Sequence, residues 1–310
     1  MSKGVGQGHQ SGVQRVNVPE HLVLPSPPFR SSFDELAAQG AAVLADCEIA
    51  VVGLARSCAP QLASNLERVL SLGGFCRSWK LHVETNDNED NTDQVLADFC
   101  RQHRQATFTS QRLGRQQFST EFAGRRTEAL AEYRTACQRW VRECATDADF
   151  VVVIDLDAWG GWSNRGLLNG VGWMRHMPDA YGMASVSLLQ HPAYETNAAG
   201  ETQLIAAWLH YDCWALRLNS YWDDYTNGVG GWKHQWLPPV GSPPVPVCSA
   251  MGGLAIYRTA AYLSGTYDGT DCEHVKFHES VERATGQGLY LNPSQRCVMR
   301  WLDGGQHGND

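Results

Sequence analysis

No run of eighteen apolar residues occurs in the 310-residue chain, so no segment reads as a membrane-spanning helix. The opening "MSKGVGQGHQSGVQRVNVPE" has no apolar centre and does not read as an export signal. Among ten cysteines there is no C-x-x-C pair, which argues against a structural zinc site. With no export signal read, most of the cysteines are expected to be reduced thiols in a cytoplasmic protein. Positive charge is in deficit: 25 Lys and Arg face 33 Asp and Glu, a net charge of -8, which argues against non-specific coating of DNA by the whole chain. There is no G-x-G-x-x-G, no Walker A sequence and no internal repeat.

What is present suits a packed globular domain, with 43% hydrophobic and 19% charged residues. Residues 1–30, ending in "LPSPPF", read as a loose tail and an extended entry. Residues 31–300 read as one domain, with a donor half at about 45–160 and an acceptor half at about 161–300, and 301–310 as a C-terminal tail. "EIAVVGLAR" (48–56) is a short apolar run of the kind found in buried parallel strands. Leu62, Leu66, Val69 and Leu70 follow at helical spacing, closed by Gly73 and Gly74. "WKLHVET" is a second strand, "NDNEDNT" a polar loop and "DQVLADFCRQH" a helix. That βαβα order predicts an α/β fold.

A long helix is expected over Glu121–Cys144, with Leu130, Tyr133, Cys137, Trp140, Val141 and Cys144 on its apolar face. Region 101–142 holds nine arginines against three glutamates. They are either a solvated face or, for one or two of them, ligands for a phosphate. "YGMASVSLL" and "WLHYDCWALRL" are further strand or strand-edge segments, and 222–247 is a long loop rich in turn formers and aromatics. "CSAMGGLAIYR" reads as a strand entered through two glycines, "DCEHVKFHESVERATG" as a helix and "LYLNP" as a last short strand.

The richest stretch is "ADFVVVIDLDAWGG" (148–161), where an apolar strand ends in Asp155 and Asp157. Residues i and i+2 leave a pleat on the same side, so the two carboxylates can converge. Close like charges are costly unless a cation neutralises them. Mg²⁺ or Mn²⁺ suits oxygen ligands and keeps positions open for phosphate. Ligands of open α/β sheets also bind at the carboxyl ends of strands. The competing reading is a pair of capping or turn aspartates.

With its neighbours, "VVVIDLD" resembles the D-x-D of GT-A nucleotide-sugar glycosyltransferases. "NDNEDNT" (86–92) is similar to their N-D-S-x-D-x-T loop. "RRTEALAEYR" resembles the R-x(several)-L-A-x-x-R-N stretch before D-x-D, with Thr135 where the Asn would stand. "YDCWALR" (211–217) resembles the Y-D-x-W-x-x-R segment of the fungal capsule-associated α-1,3-mannosyltransferase family. "AMGGLAIYR" looks like the glycine loop and "DCEH" like the acidic motif opening the acceptor-side helix. Together these span about 48–295.

The resemblance implies a GT-A-like (Rossmann-like), mostly parallel central sheet flanked by helices, with a loop-rich acceptor side. It implies a UDP- or GDP-linked sugar donor and Mn²⁺ or Mg²⁺ held by Asp155 and Asp157. Arg126, Arg134, Asn86, Asp87, Asp155, Gly252 and Gly253 would serve the donor, and Trp214 and Arg217 the acceptor. Asp87 reads equally well as a turn or helix-cap residue. Glu273 or Asp271 would take the acceptor's proton in an inverting reaction, whereas in a retaining one Asp212 would face the anomeric carbon. No histidine follows the last core strand. His307 is either a displaced metal ligand or part of the tail. His274 and His278, at i and i+4, read as a core or surface pair sooner than as a metal pair. Trp159, Trp162, Trp173, Trp214, Trp222 and Trp232 offer aromatic faces that suit sugars or bases, though most tryptophans simply pack. The rival readings are a nucleotidyltransferase of related fold and a carbohydrate-binding scaffold. The acceptor, whether glycan, lipid-linked sugar, protein or nucleic acid, is not legible.

Overall fold

The computed structural model describes residues 20–118, 124–218 and 231–301. A short helix α1 (Glu20–Val23) precedes α2 (Arg30–Ala45), which leads into β1 (Glu48–Ala55). Helix α3 (Ala59–Gly73), β2 (Ser78–Asn86), α4 (Thr92–Gln102), β3 (Ala106–Gln111), α5 (Arg125–Cys144) and β4 (Phe150–Asp155) follow. The second half holds β5 (Gly161–Trp162), α6 (Asn164–His176), β6 (Ala180–Thr196), β7 (Thr202–His210), β8 (Val245–Val247) and β9 (Leu254–Arg258). It closes with α7 (Thr259–Ser264), α8 (Glu273–Thr285) and β10 (Gly288–Arg300).

The strands form one sheet, of order β3-β2-β1-β4-β9-β6-β10-β5, with β7 on β6 and β8 on β10. The block β3-β2-β1-β4 is parallel, as is β6 with β10. Antiparallel pairs join the rest: β9 lies against β4 and β6, β7 against β6, and β5 and β8 against β10. This is the α/β architecture expected, with a parallel block β3-β2-β1-β4 joined through antiparallel β9 to the parallel pair β6 and β10.

Alternation along the strands explains the layering. Ile49 and Val51 of β1, with Val152 and Ile154 of β4, pack with Leu62 and Leu66 of α3 and Leu167 and Val171 of α6. Ala50, Val52, Val151 and Val153 face the other way, onto Cys137 and Val141 of α5 and Val275 and Phe277 of α8. Strands buried on both faces read as continuous apolar runs, and "VVVI" is such a run. Residues 151, 153 and 155 therefore point towards α5.

Three expectations need correction. The inward face of α5 carries Thr127, Ala131, Arg134, Gln138 and Val141, whereas Leu130 and Tyr133 are half-buried and Cys144 is exposed. The helix turns a polar stripe inwards because it roofs a polar cavity as well as a core. The strand expected through "WLHYDCWALRL" stops at His210, and Asp212 lies in the turn beyond. The short last strand is thirteen residues long. Its register shifts between Asn292 and Arg296, and that irregularity accommodates Pro293, which has no N–H to give a ladder. Among the described residues no helix is long and apolar enough to cross a membrane.

Candidate active site

A cavity of about 400 Å³ opens where β1, β2 and β4 end, under the polar side of α5. Leu54, Arg56, Glu84, Asn86, Arg126, Arg134, Asp155, Asp157, Tyr211, Asp212, Trp214 and Glu273 are among the residues lining it. Eight predicted site residues thus share one space: Asn86, Arg126, Arg134, Asp155, Asp157, Asp212, Trp214 and Glu273.

The two aspartates of the D-x-D differ. Asp155 ends β4 and is held in an ion pair by Arg134 of α5, whose side chain is only 3% exposed. Burial works against the Arg134 charge, but the Asp155 carboxylate outweighs it and raises the guanidinium above its ordinary value. An arginine, then, neutralises the first acid, where a metal ion was expected to serve both. Arg134 Nε and Nη1 have no hydrogen-bond partner among the described residues. Leu156 turns into the core, and Asp157 emerges beside Asp155. The Asp157 carboxylate is open to the cavity yet walled by protein. That burial and the Asp155 charge push it up to about 6, and solvent in the cavity relieves part of the shift.

Asn86 lines the cavity and donates to Asp87 Oδ2 at 2.8 Å. Asp87 does not line it. Its carboxylate also accepts from the backbone N–H groups of Leu113, Gly114 and Arg115 at 2.8, 2.9 and 3.1 Å. Asn86 first, and then those three backbone donors, hold it down to about 2, so its charge serves to fasten the segment after β3. Arg56 ties the same segment through the carbonyls of Arg115 and Gln116.

Asp212 accepts from Gly252 N at 3.0 Å and Ala215 N at 3.2 Å. Burial raises its carboxyl while these two donors oppose the rise. Gly252 has φ +63°, and a Cβ there would lie 2.0 Å from the Ser185 carbonyl oxygen, so only glycine fits. Gly253 accepts from Asp155 N at 2.8 Å through its carbonyl. Neither glycine lines the cavity; they support Asp212 and Asp155 from behind.

Glu273 opens α8 and is 4% exposed. Burial pushes it up to about 7, with Arg134 opposing and Asp155 and Asp212 assisting. His274 Nε2 lies 3.5 Å from Glu273 Oε1. Asp271 lies outside the cavity, 3.6 Å from Arg217, whose guanidinium also reaches the Trp214 carbonyl. Arg126 stacks over the Trp214 ring at 5.5 Å.

His278 is a core residue, as expected: its ring nitrogens meet Ser249 Oγ and Tyr257 OH, each at 2.9 Å. His307 and Trp222 lie outside the described residues. Trp162 is buried in the opposite core and Trp232 is exposed, so Trp214 is the one tryptophan lining the cavity among the described residues. Among those residues no group of three or more His, Cys, Asp and Glu could hold a metal ion.

Sequence reasoning passes over Glu84, Arg56 and Tyr211 as lining residues. For Glu84 a signal exists: two ionisable residues alternate in "LHVET" inside an apolar strand, facing one side.

No protein-family model matches the chain, and no curated protein matches it. Among solved structures, the mannosyltransferase PcManGT from Pyrobaculum calidifontis, in complex with GDP-Man and Mn²⁺, aligns at a TM-score of 0.45 and 13% identity, over 87% of this chain and 66% of its own. GalNAc-T7 with UDP, GalNAc and Mn²⁺ aligns at 0.47 and 9%, over 96% and 57%. S. aureus TarS 1-349 with UDP-GlcNAc aligns at 0.46 and 9%, over 85% and 62%. This chain thus spans 57% to 66% of the length of these three solved chains.

Proposed function

We propose that this protein is a GT-A-like glycosyltransferase that moves a sugar from a nucleotide-sugar donor to an acceptor hydroxyl with a divalent metal ion. One observation carries the reading. At the carboxyl ends of parallel strands, Arg134 and the open carboxylate of Asp157 line one cavity, and the Arg134 guanidinium carries two nitrogens, themselves buried, that have no hydrogen-bond partner among the described residues. A guanidinium suits phosphate oxygens, which accept charge-assisted hydrogen bonds. The finer likeness to the capsule-associated mannosyltransferases rests on the Tyr211–Arg217 segment and is part of the proposal.

The residues fit a metal whose remaining ligands come from the donor. Asp157 is open to the cavity, and the protein around it and then the charge of Asp155 raise its carboxyl, a cost that a cation relieves. Asp157 and the unpaired oxygen of Asp155 would hold Mn²⁺ or Mg²⁺, which would supply charge against the departing diphosphate. Arg134 neutralises Asp155 and would set its positive charge beside the same phosphates. Arg126 stacked on Trp214 brings a second guanidinium to that end of the cavity. His307 remains a proposed further ligand.

For the acceptor, Glu273 is the better proton acceptor. Its value of about 7 matches a base working near neutral pH, and it faces the cavity. Asp212 already receives two backbone N–H bonds, so we assign it to shaping the site. Asp271 and Arg217 pair outside the cavity, with Arg217 also on the carbonyl of the lining Trp214, and we assign this pair to the acceptor. A panel of nucleotide sugars incubated with purified protein and Mn²⁺ tests the function, with nucleotide release as the readout. Release from none of them, with or without acceptor sugars, counts against it.

A further inference from the structure

Glu84, Leu54 and Asp155 stand in one row across three neighbouring parallel strands: Leu54 is in register with both Glu84 and Asp155. Residues in one row face one side, so two carboxylates flank a leucine on the floor of the cavity. Two strand spacings of about 4.8 Å put the backbones of Glu84 and Asp155 roughly 10 Å apart. The Asp155 end is the phosphate end by virtue of Arg134. The Glu84 end therefore lies one nucleoside away, with Leu54 as an apolar patch between.

Glu84 is held firmly. Its Oε1 meets His82 Nε2 at 2.9 Å, and the His82 ring stacks on Trp140 at 5.0 Å between centroids. With Nε2–H donating to the Glu84 carboxylate, the other ring nitrogen, Nδ1, meets the Thr107 hydroxyl at 2.9 Å. That fixes the ring, and the ring fixes the carboxylate. A buried acid clamped on one oxygen and lining the cavity is poised to accept hydrogen bonds from a ligand.

We propose that Glu84 reads the nucleobase of the donor and that the base is guanine. This rests on the cavity being a nucleotide site. Guanine presents two adjacent donors, N1–H and the 2-amino group, which match the two oxygens of a carboxylate. Uracil presents one N–H between two carbonyl oxygens that repel a carboxylate. Adenine and cytosine set a ring-nitrogen acceptor beside their amino group.

The test is calorimetric binding of GDP, IDP and UDP to the full chain with Mn²⁺. IDP keeps N1–H and lacks the 2-amino group. The expected order is GDP, then IDP, then UDP, with GDP about ten- to a hundredfold tighter than UDP. Glu84→Gln, checked by its melting curve, should bring GDP and IDP within about threefold of each other, because the amide opposes guanine's donors. UDP binding as tightly as GDP to the wild-type chain overturns the proposal without any variant. A folded Glu84→Gln protein that keeps the full GDP preference overturns it too. Both results leave a nucleotide site standing. Binding of none of the three overturns the functional reading and this inference together.

Discussion

Arg134 and Asp155 form an ion pair that joins the inward face of α5 to the tip of β4. The pair is close to the core, so removing one partner strands a buried charge. Arg134→Met should destabilise the fold by about 3–5 kcal/mol. The double variant Arg134→Met/Asp155→Asn should lose clearly less than the sum of the two singles. Urea denaturation of the four proteins measures the coupling, and additive losses would show that the pair contributes nothing.

Asp157→Ala should leave the apo protein as stable as wild type, or more so at neutral pH, because it removes a carboxylate that is walled by protein and repelled by Asp155. The same variant should lose the rise in melting temperature that Mn²⁺ with nucleotide gives the wild type. An unchanged ligand-induced shift removes Asp157 from the metal site.

Glu273 gives a stability signature with a definite sign. Its folded value of about 7 lies above the ordinary 4.5 of a glutamate, so the folded state resists ionising it. The unfolded chain releases that proton first, and stability falls as pH rises from about 4.5 to about 7, then levels off. The penalty at pH 8 is at most about 3 kcal/mol. Glu273→Gln should flatten this slope and be more stable than wild type at pH 8. Denaturant midpoints between pH 4 and 8 show whether it does.

The same substitution separates the two candidate acids in catalysis. Glu273→Gln should lower turnover by about 10²–10⁴-fold with donor affinity kept, and remove the rise in rate through pH 7. Asp212→Asn should cost much less. A collapse with Asp212→Asn beside a near-normal Glu273→Gln rate would reverse the roles, and retention at the anomeric carbon by NMR would agree with that reversal.

Gly252 tests the support behind Asp212. Alanine there takes a left-handed backbone and meets the Ser185 carbonyl, so Gly252→Ala should cost at least roughly 1–3 kcal/mol. Thermal melts check it, and a loss below half of that range would show that the loop relaxes freely.

Much of the cavity's strand-end wall is legible in the sequence because its signals are local. A strand buried on both faces shows as an apolar run, and a polar loop after it marks the sheet's carboxyl edge. Asp155, Asp157 and Asn86 fall where those signals put them. What escapes depends on distant partners. Asp87 sits in the expected loop, yet its carboxylate is committed to residues 113–115, a contact that spacing along the chain does not encode. Arg134 reads as a phosphate ligand in the sequence, and only the meeting of α5 with β4 shows that Asp155 claims part of it. Helix α2 is hard to read because "RSSFDELAAQGAAVLA" mixes small residues around its circumference and leaves no clear apolar stripe.

The proposed reaction is transfer from a nucleotide-sugar donor. It is tested most directly by nucleotide release from a panel of UDP- and GDP-linked sugars with purified protein and Mn²⁺, repeated with Asp157→Ala. The predicted result is metal-dependent release from at least one donor by the wild-type chain, abolished in the variant. No release from any donor, or equal release by Asp157→Ala, would contradict it.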